Sequence, residues 1–89
     1  MQIIRDTQYL ESLENILDFI AKDSLNKALN FLDKLDSKLD TLTYMPYKYR
    51  KSLYYPDDNI RDMIFKGYTI PYMIQKNSIV ILDIFKWTK

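Results

Sequence analysis

The 89-residue sequence contains no cysteine, no histidine, three prolines and a single glycine, Gly67. Without cysteine there is no disulfide framework and no thiolate metal site. Without histidine as well, the usual Ser–His and Cys–His dyads and the common zinc centres are excluded. One glycine cannot build a phosphate-cradling loop of the Walker A or dinucleotide type. No run of about 18 apolar residues is present, so no membrane span is expected. The N-terminus has no basic segment leading into an apolar one, so no signal peptide is expected. These absences point to a cytoplasmic protein that needs no cofactor.

What is present is apolar and aromatic, with cations and acids nearly equal in number. Hydrophobic residues make up 47% and aromatic residues 15%, which argues against disorder. The length fits one domain over residues 1–89. The net charge is only +1, but it is unevenly spread. Most acids fall between residues 6 and 40. The second half carries Lys48, Arg50, Lys51, Arg61, Lys66, Lys76, Lys86 and Lys89 against Asp57, Asp58, Asp62 and Asp83. A modest basic face on that half would suit an acidic or polyanionic partner.

Periodicity divides the chain in two. Gln2 to Arg5 is a short strand-like opening. Asp6 or Thr7 supplies a side-chain acceptor to cap a helix. Tyr9, Leu10, Leu13, Ile16, Leu17 and Ile20 then recur at helical spacing. Ser24 is a second cap, and Leu25, Ala28, Leu32, Leu35, Leu39 and Leu42 line a second helix. So short a connection predicts an antiparallel helical hairpin. The leucine stripe is too short for a coiled coil and reads as a face packed on a sheet. Asp33, Asp36 and Asp40, interleaved with Lys34 and Lys38, read as a salt-bridged outer face.

Pro46 and Pro56 bracket a connector of tyrosines and cations. Three short strands follow. Lys66–Gly67 forms the first turn, because glycine supplies the positive φ that a two-residue hairpin needs. Lys76–Asn77 forms the second. Pro71 cannot donate to a ladder and predicts a bulge or an unpaired edge. The fold class is therefore α+β, in the order βααβββ, with a helical hairpin laid on a small antiparallel sheet. The place of the first strand in that sheet is not fixed by periodicity.

Candidate chemistry rests on cations and tyrosines. Asp57–Asp58 reads as a solvated turn, so no metal site is predicted. Cations stabilise charge on a phosphate, and tyrosine and arginine stack on unpaired bases. Tyrosines of this kind also serve as amphipathic cover for a sheet edge. Tyr47, Lys48, Arg50, Lys51, Arg61, Lys66, Tyr68, Tyr72 and Lys86 are the target-binding candidates; no catalytic residue is assigned.

Residues 67–74, Gly-Tyr-Thr-Ile-Pro-Tyr-Met-Ile, and the apolar strand at 79–85 resemble the RelE/ParE superfamily of type II toxin–antitoxin toxins. The element order and length are also similar. The resemblance implies a growth-inhibiting bacterial toxin of the plasmid-stabilization type, with a cognate antitoxin as partner, no membrane, and room for a homodimer. In its RNA-cleaving members the residue after the first tyrosine of this strand is a catalytic arginine; here it is Thr69. Their C-terminal segment adds an arginine and a tyrosine, where residues 85–89 here offer only the cations Lys86 and Lys89. The resemblance thus implies a ParE-like inhibitor of an essential target such as DNA gyrase. A RelE-like ribosome-dependent mRNA endonuclease with a non-standard site, and an inactive antitoxin-binding module, remain alternatives.

Overall fold

The computed structural model describes residues 1–86. Strand β1 (Gln2–Arg5) leads into helices α1 (Thr7–Asp23) and α2 (Leu25–Asp40), a 3-10 turn (Thr41–Thr43), and strands β2 (Ile60–Phe65), β3 (Tyr68–Ile74), β4 (Ser78–Ile81) and the two-residue β5 (Phe85–Lys86). Each helix starts where a short polar side chain satisfies an otherwise unpaired backbone N–H. The Asp6 carboxylate accepts from the Gln8 N–H at 3.1 Å, and the Ser24 hydroxyl from the Lys27 N–H at 3.3 Å. Ser24 also ends α1, its own N–H donating to the Ile20 carbonyl. One residue therefore closes one helix and opens the next, which fixes the hairpin.

The sheet order is β1-β4-β3-β2, and β5 also pairs with β3. The three C-terminal strands pair antiparallel as predicted, and β1 joins the far edge of β4 in parallel. The sheet is mixed for that reason. The hairpin carries the chain from the end of β1 back across the sheet, so β1 can meet β4 only through a crossover, which parallel pairing requires.

The turn between β2 and β3 holds Lys66 at φ 50° and Gly67 at φ 83°, with Phe65 paired to Tyr68. Two consecutive positive φ values are those of a type I′ hairpin, whose twist matches the strands it joins. At the second turn the Gln75 N–H donates to the Ser78 carbonyl at 2.8 Å across Lys76–Asn77.

Pro71 sits at a bulge. Tyr72 pairs with Ile81 and Thr69 with Phe85, so Ile70 and Pro71 on β3 face Leu82, Asp83 and Ile84. The Pro71 carbonyl accepts from the Leu82 N–H at 2.9 Å on that side. Carbonyl and amide of one strand residue point the same way in an antiparallel ladder, so the missing N–H falls where the ladder is already broken.

Strand pairing sorts the side chains onto two faces. Met63, Phe65, Ile70, Tyr72, Ile79 and Ile81 join Tyr9, Leu13, Phe31, Leu35 and Leu39 of the helices in one buried core. Phe31 meets Phe65 and Tyr68 edge-on, with ring centroids 5.3 and 5.6 Å apart. The other face carries Ile60, Asp62, Thr69, Pro71 and Phe85 and is also largely buried, because the connector folds over it. No described helix is long and apolar enough to cross a membrane.

Two predictions concern this frame. Gly67 has nothing within 4 Å of where a Cβ would stand, so Gly67→Ala meets only backbone strain. It should cost about 1 kcal/mol, read as a lower urea midpoint at unchanged m-value. The second concerns alkaline pH. Burial, reinforced by the Asp36 carboxylate, pushes the Tyr9 phenol up to about 12, and burial raises Tyr72 too. Tyrosine in the unfolded chain ionises near 10. The folded state then holds more protons above that point, so stability is complete below pH 10 and falls as pH rises from 10 toward 12. Unfolding free energy measured from pH 8 to 11.5 should decline at the upper end, less steeply in Tyr9→Phe. A flat profile would contradict the assignment.

Candidate functional site

The connector, residues 44–59, is strapped along the outer edge of β2. The Asp62 N–H donates to the Arg50 carbonyl at 3.1 Å, and the Ser52 N–H to the Ile60 carbonyl at 2.8 Å. Lys51 and Arg61 form an isolated antiparallel bridge. Side chains reinforce the backbone. Asp62, 1% exposed, accepts from the Leu53 N–H at 3.0 Å and faces the Arg50 guanidinium at 3.7 Å. Arg61 donates to the Tyr49 carbonyl at 3.0 Å and lies over the Tyr47 ring at 5.0 Å. The Tyr72 hydroxyl donates to the Pro46 carbonyl at 2.6 Å. Tyr54 lies edge-on to Phe85 at 5.0 Å, closing the strap over the second face.

This geometry divides the sequence-predicted site residues. Tyr72 is fully buried and is a core residue, not a surface one, because its strand position faces the helices and its hydroxyl is spent on Pro46. Arg61 holds the connector through its guanidinium. Arg50 is tied to Asp62, and Lys51 to Asp58 at 3.4 Å. That pair also accounts for half of the Asp57–Asp58 turn. Lys89 lies outside the described residues.

Lys66, Tyr68 and Lys86 gather at the other end of the sheet. Lys86 pairs with Tyr68 across the β3–β5 ladder, and its ammonium lies 5.4 Å from the Tyr68 ring centre. The Lys66 ammonium lies 5.6 Å from that of Phe65. Phe31 braces both rings from below. Both lysines are exposed, and no described carboxylate lies within 4 Å of either. The result is two free cations on a rigid aromatic shelf. Phe65 is four residues from Arg61, so the shelf is roughly 13 Å from the strapped cations.

A third feature escaped the sequence. A cavity of about 470 Å³ opens between the C-terminal half of α2 and the connector. Lys34, Ser37, Lys38 and Thr41 line one side, and Lys48 and Tyr49 the other; Asp33 completes the rim. The helix spacing suggested that Lys34 and Lys38 are neutralised by neighbouring aspartates. Instead Asp36 turns inward to Arg5 at 3.4 Å, and no described carboxylate lies within 4 Å of Lys34, Lys38 or Lys48. The missing signal was tertiary: only the fold shows that the connector brings Lys48 to α2.

Asp62 is buried beneath the strap, and Asp83 already accepts from the Ser12 hydroxyl at 2.7 Å and the Ile84 N–H at 2.8 Å. Tyr55 is raised by burial and then by Asp83, Asp62 and Asp6, which makes its phenolate harder to form. Thr69 is fully buried, so its strand position presents nothing to solvent.

A family model described as the ParE toxin of the type II toxin–antitoxin system parDE matches residues 3–86. No curated protein sequence matches the chain. A solved structure titled "Chromosomal ParDE TA system from P. aeruginosa" superposes with a TM-score of 0.80 at 18% identity, covering 97% of this chain and 95% of that one. At that identity the match shows the shared fold.

The strap generates its own prediction. Asp62→Ala removes the carboxylate that anchors Leu53 and Arg50 and should cost about 2–3 kcal/mol. Amide exchange at Ser52 and Leu53 should speed up well before exchange in β3 does. Unchanged protection there would show that backbone pairing alone holds the connector.

Proposed function

The chain belongs to the ParE toxin family of type II toxin–antitoxin systems, and on that premise we propose that it acts by binding and blocking an essential target such as DNA gyrase rather than by cleaving RNA. The observation that carries this reading is the aromatic shelf. Lys66 and Lys86 are exposed and rigidly backed, and no described carboxylate lies within 4 Å of either ammonium. Strand scission at a ribose needs an acceptor within hydrogen-bond reach of the 2′-hydroxyl as well as cations on the phosphate. Blocking a target needs only a complementary surface. Buried Thr69 supports the same reading, since the strand position that carries arginine in the cleaving relatives is covered here.

The physiological partner in this reading is an antitoxin encoded beside it. The helical hairpin leaves Leu10, Leu25 and Leu29 exposed, an apolar surface suited to a segment that folds on contact. Co-expression of the neighbouring gene product should restore growth and yield a stable complex.

The mechanism is tested by inducing the protein in bacterial cells and following two readouts. DNA breaks with an SOS response and intact mRNA are expected. Codon-linked mRNA cleavage with intact DNA would overturn the proposal. Lys66→Ala/Lys86→Ala should abolish toxicity while changing stability by less than about 0.5 kcal/mol per site, because both side chains are exposed. Full toxicity in that variant would remove the shelf from the mechanism.

A further inference from the structure

We propose that the cavity between α2 and the connector is a binding site for a nucleotide unit, with its phosphate held by Lys34, Lys38 and Lys48 and its base laid against Tyr49. The proposal is independent of the target assigned above, because it uses neither Lys66 nor Lys86.

The charge argument comes first. Three lysines from two separate elements line one recess whose rim has a single acid, Asp33, and the Lys48 ammonium lies 5.5 Å from the Tyr49 ring centre. None of the three forms an ion pair among the described residues. Like charges gathered without counter-ions repel, and a bound anion removes that cost. Lysines are compact, strongly hydrated donors that serve phosphate well as point charges, whereas planar carboxylates are better met by the arginine fork. The chain keeps its three arginines elsewhere, on Asp36, on Asp62 and on the Tyr49 carbonyl.

Size and wall chemistry narrow the ligand. About 470 Å³ is far more than a lone phosphate occupies and falls within the range of small-molecule sites. The lining pairs the aromatic Tyr49 with lysines, whose ammonium heads are carried on apolar methylene stems. Tyr49 is held in place: its ring edge meets Tyr72 at 6.4 Å, and its carbonyl is fixed by Arg61. A fixed aromatic wall beside free cations is the combination that binds an unpaired base and its phosphate together. Ser37, on the rim, supplies a hydroxyl within the same recess for a sugar oxygen. An acidic peptide would satisfy the lysines but leave the aromatic wall without a flat partner.

The ligand chemistry could come from a free nucleotide or from a single strand, and the experiment separates them. The full chain is titrated with a labelled ten-residue single-stranded oligonucleotide by fluorescence anisotropy in low salt, and with ATP by chemical-shift mapping. Binding is expected, with shifts at Ser37 and Tyr49. Lys34→Ala/Lys38→Ala/Lys48→Ala should weaken it at least about tenfold and reduce the salt slope by about two, from roughly 0.7 per phosphate contact on a single strand. Lys66→Ala/Lys86→Ala should leave binding unchanged. ATP displacing the oligonucleotide at similar affinity identifies a free-nucleotide site; an oligonucleotide that binds far more tightly identifies a strand site. Either supports the proposal. Equal binding of base-free polyphosphate or of polyglutamate would overturn it, as would no binding, or binding that survives the triple substitution in a protein whose circular dichroism and melting match the parent.

Discussion

The buried carboxylate of Asp62 is the point on which the arrangement of this molecule turns. A carboxylate removed from water must be compensated, and here the compensation comes from outside its own strand, from the Leu53 amide and the Arg50 guanidinium. Both contacts fall on Oδ2, while the buried Oδ1 has no hydrogen-bond partner among the described residues, and together they tie the connector to the edge of β2. Once there, its backbone pairs with Arg61 and Asp62, and Tyr54 lies edge-on to Phe85 on the second face of the sheet. The same fold-over places Lys48 and Tyr49 opposite α2. An edge strand that would otherwise offer unpaired amides is covered, and a cavity forms along the seam.

Strand β3 supplies the second constraint. It pairs with β2, β4 and β5, so every irregularity in it is felt across the sheet. Pro71 removes one donor on the β4 side. The chain answers with three residues against two, and after the bulge β5 returns to pair with Thr69 and Tyr68. That return sets Lys86 over Tyr68. A continuous β4 would have carried the same residues through in a different register and put the ammonium elsewhere. The aromatic shelf is thus a consequence of one proline as much as of the lysines themselves.

Local rules were legible in the sequence, and long-range ones were not. Asp6 and Ser24 as caps, Lys66–Gly67 as a tight turn and Pro71 as a ladder break each rest on a residue's own backbone chemistry, which does not depend on what lies across the fold. The parallel partner of β1 was not legible, because a four-residue alternation says which side chains share a face but nothing about the neighbouring strand. Tyr72 was misplaced for a related reason. Alternation put it with Tyr68, and only the position of the helices shows that one end of that row is core while the other reaches the rim. Lys34 and Lys38 were misread because they interleave with Asp33, Asp36 and Asp40 in sequence, at separations of one or two residues that do not face each other on a helix. Nor can that interleaving show that Asp36 is taken by Arg5, from a strand thirty-one residues away.

The near-neutral net charge conceals how the fold uses its cations. Arg5, Arg50, Lys51 and Arg61 are consumed in holding elements together, three through carboxylates and one through a carbonyl. Arginine dominates that internal group, as its fork and weak hydration favour partly buried contacts. The lysines left unpaired among the described residues include Lys34, Lys38 and Lys48 at the cavity and Lys66 and Lys86 at the shelf. Each group is backed by a ring that another aromatic holds fixed, Tyr49 by Tyr72 and Tyr68 by Phe31. Fixed backing lowers the ordering cost of binding, which for a long lysine side chain exceeds the energy of one exposed ion pair. Free charge on a rigid aromatic base is therefore worth more to recognition than the same charge on a mobile surface. The two ends of the molecule present it separately, one flat and one recessed, so they suit different ligands.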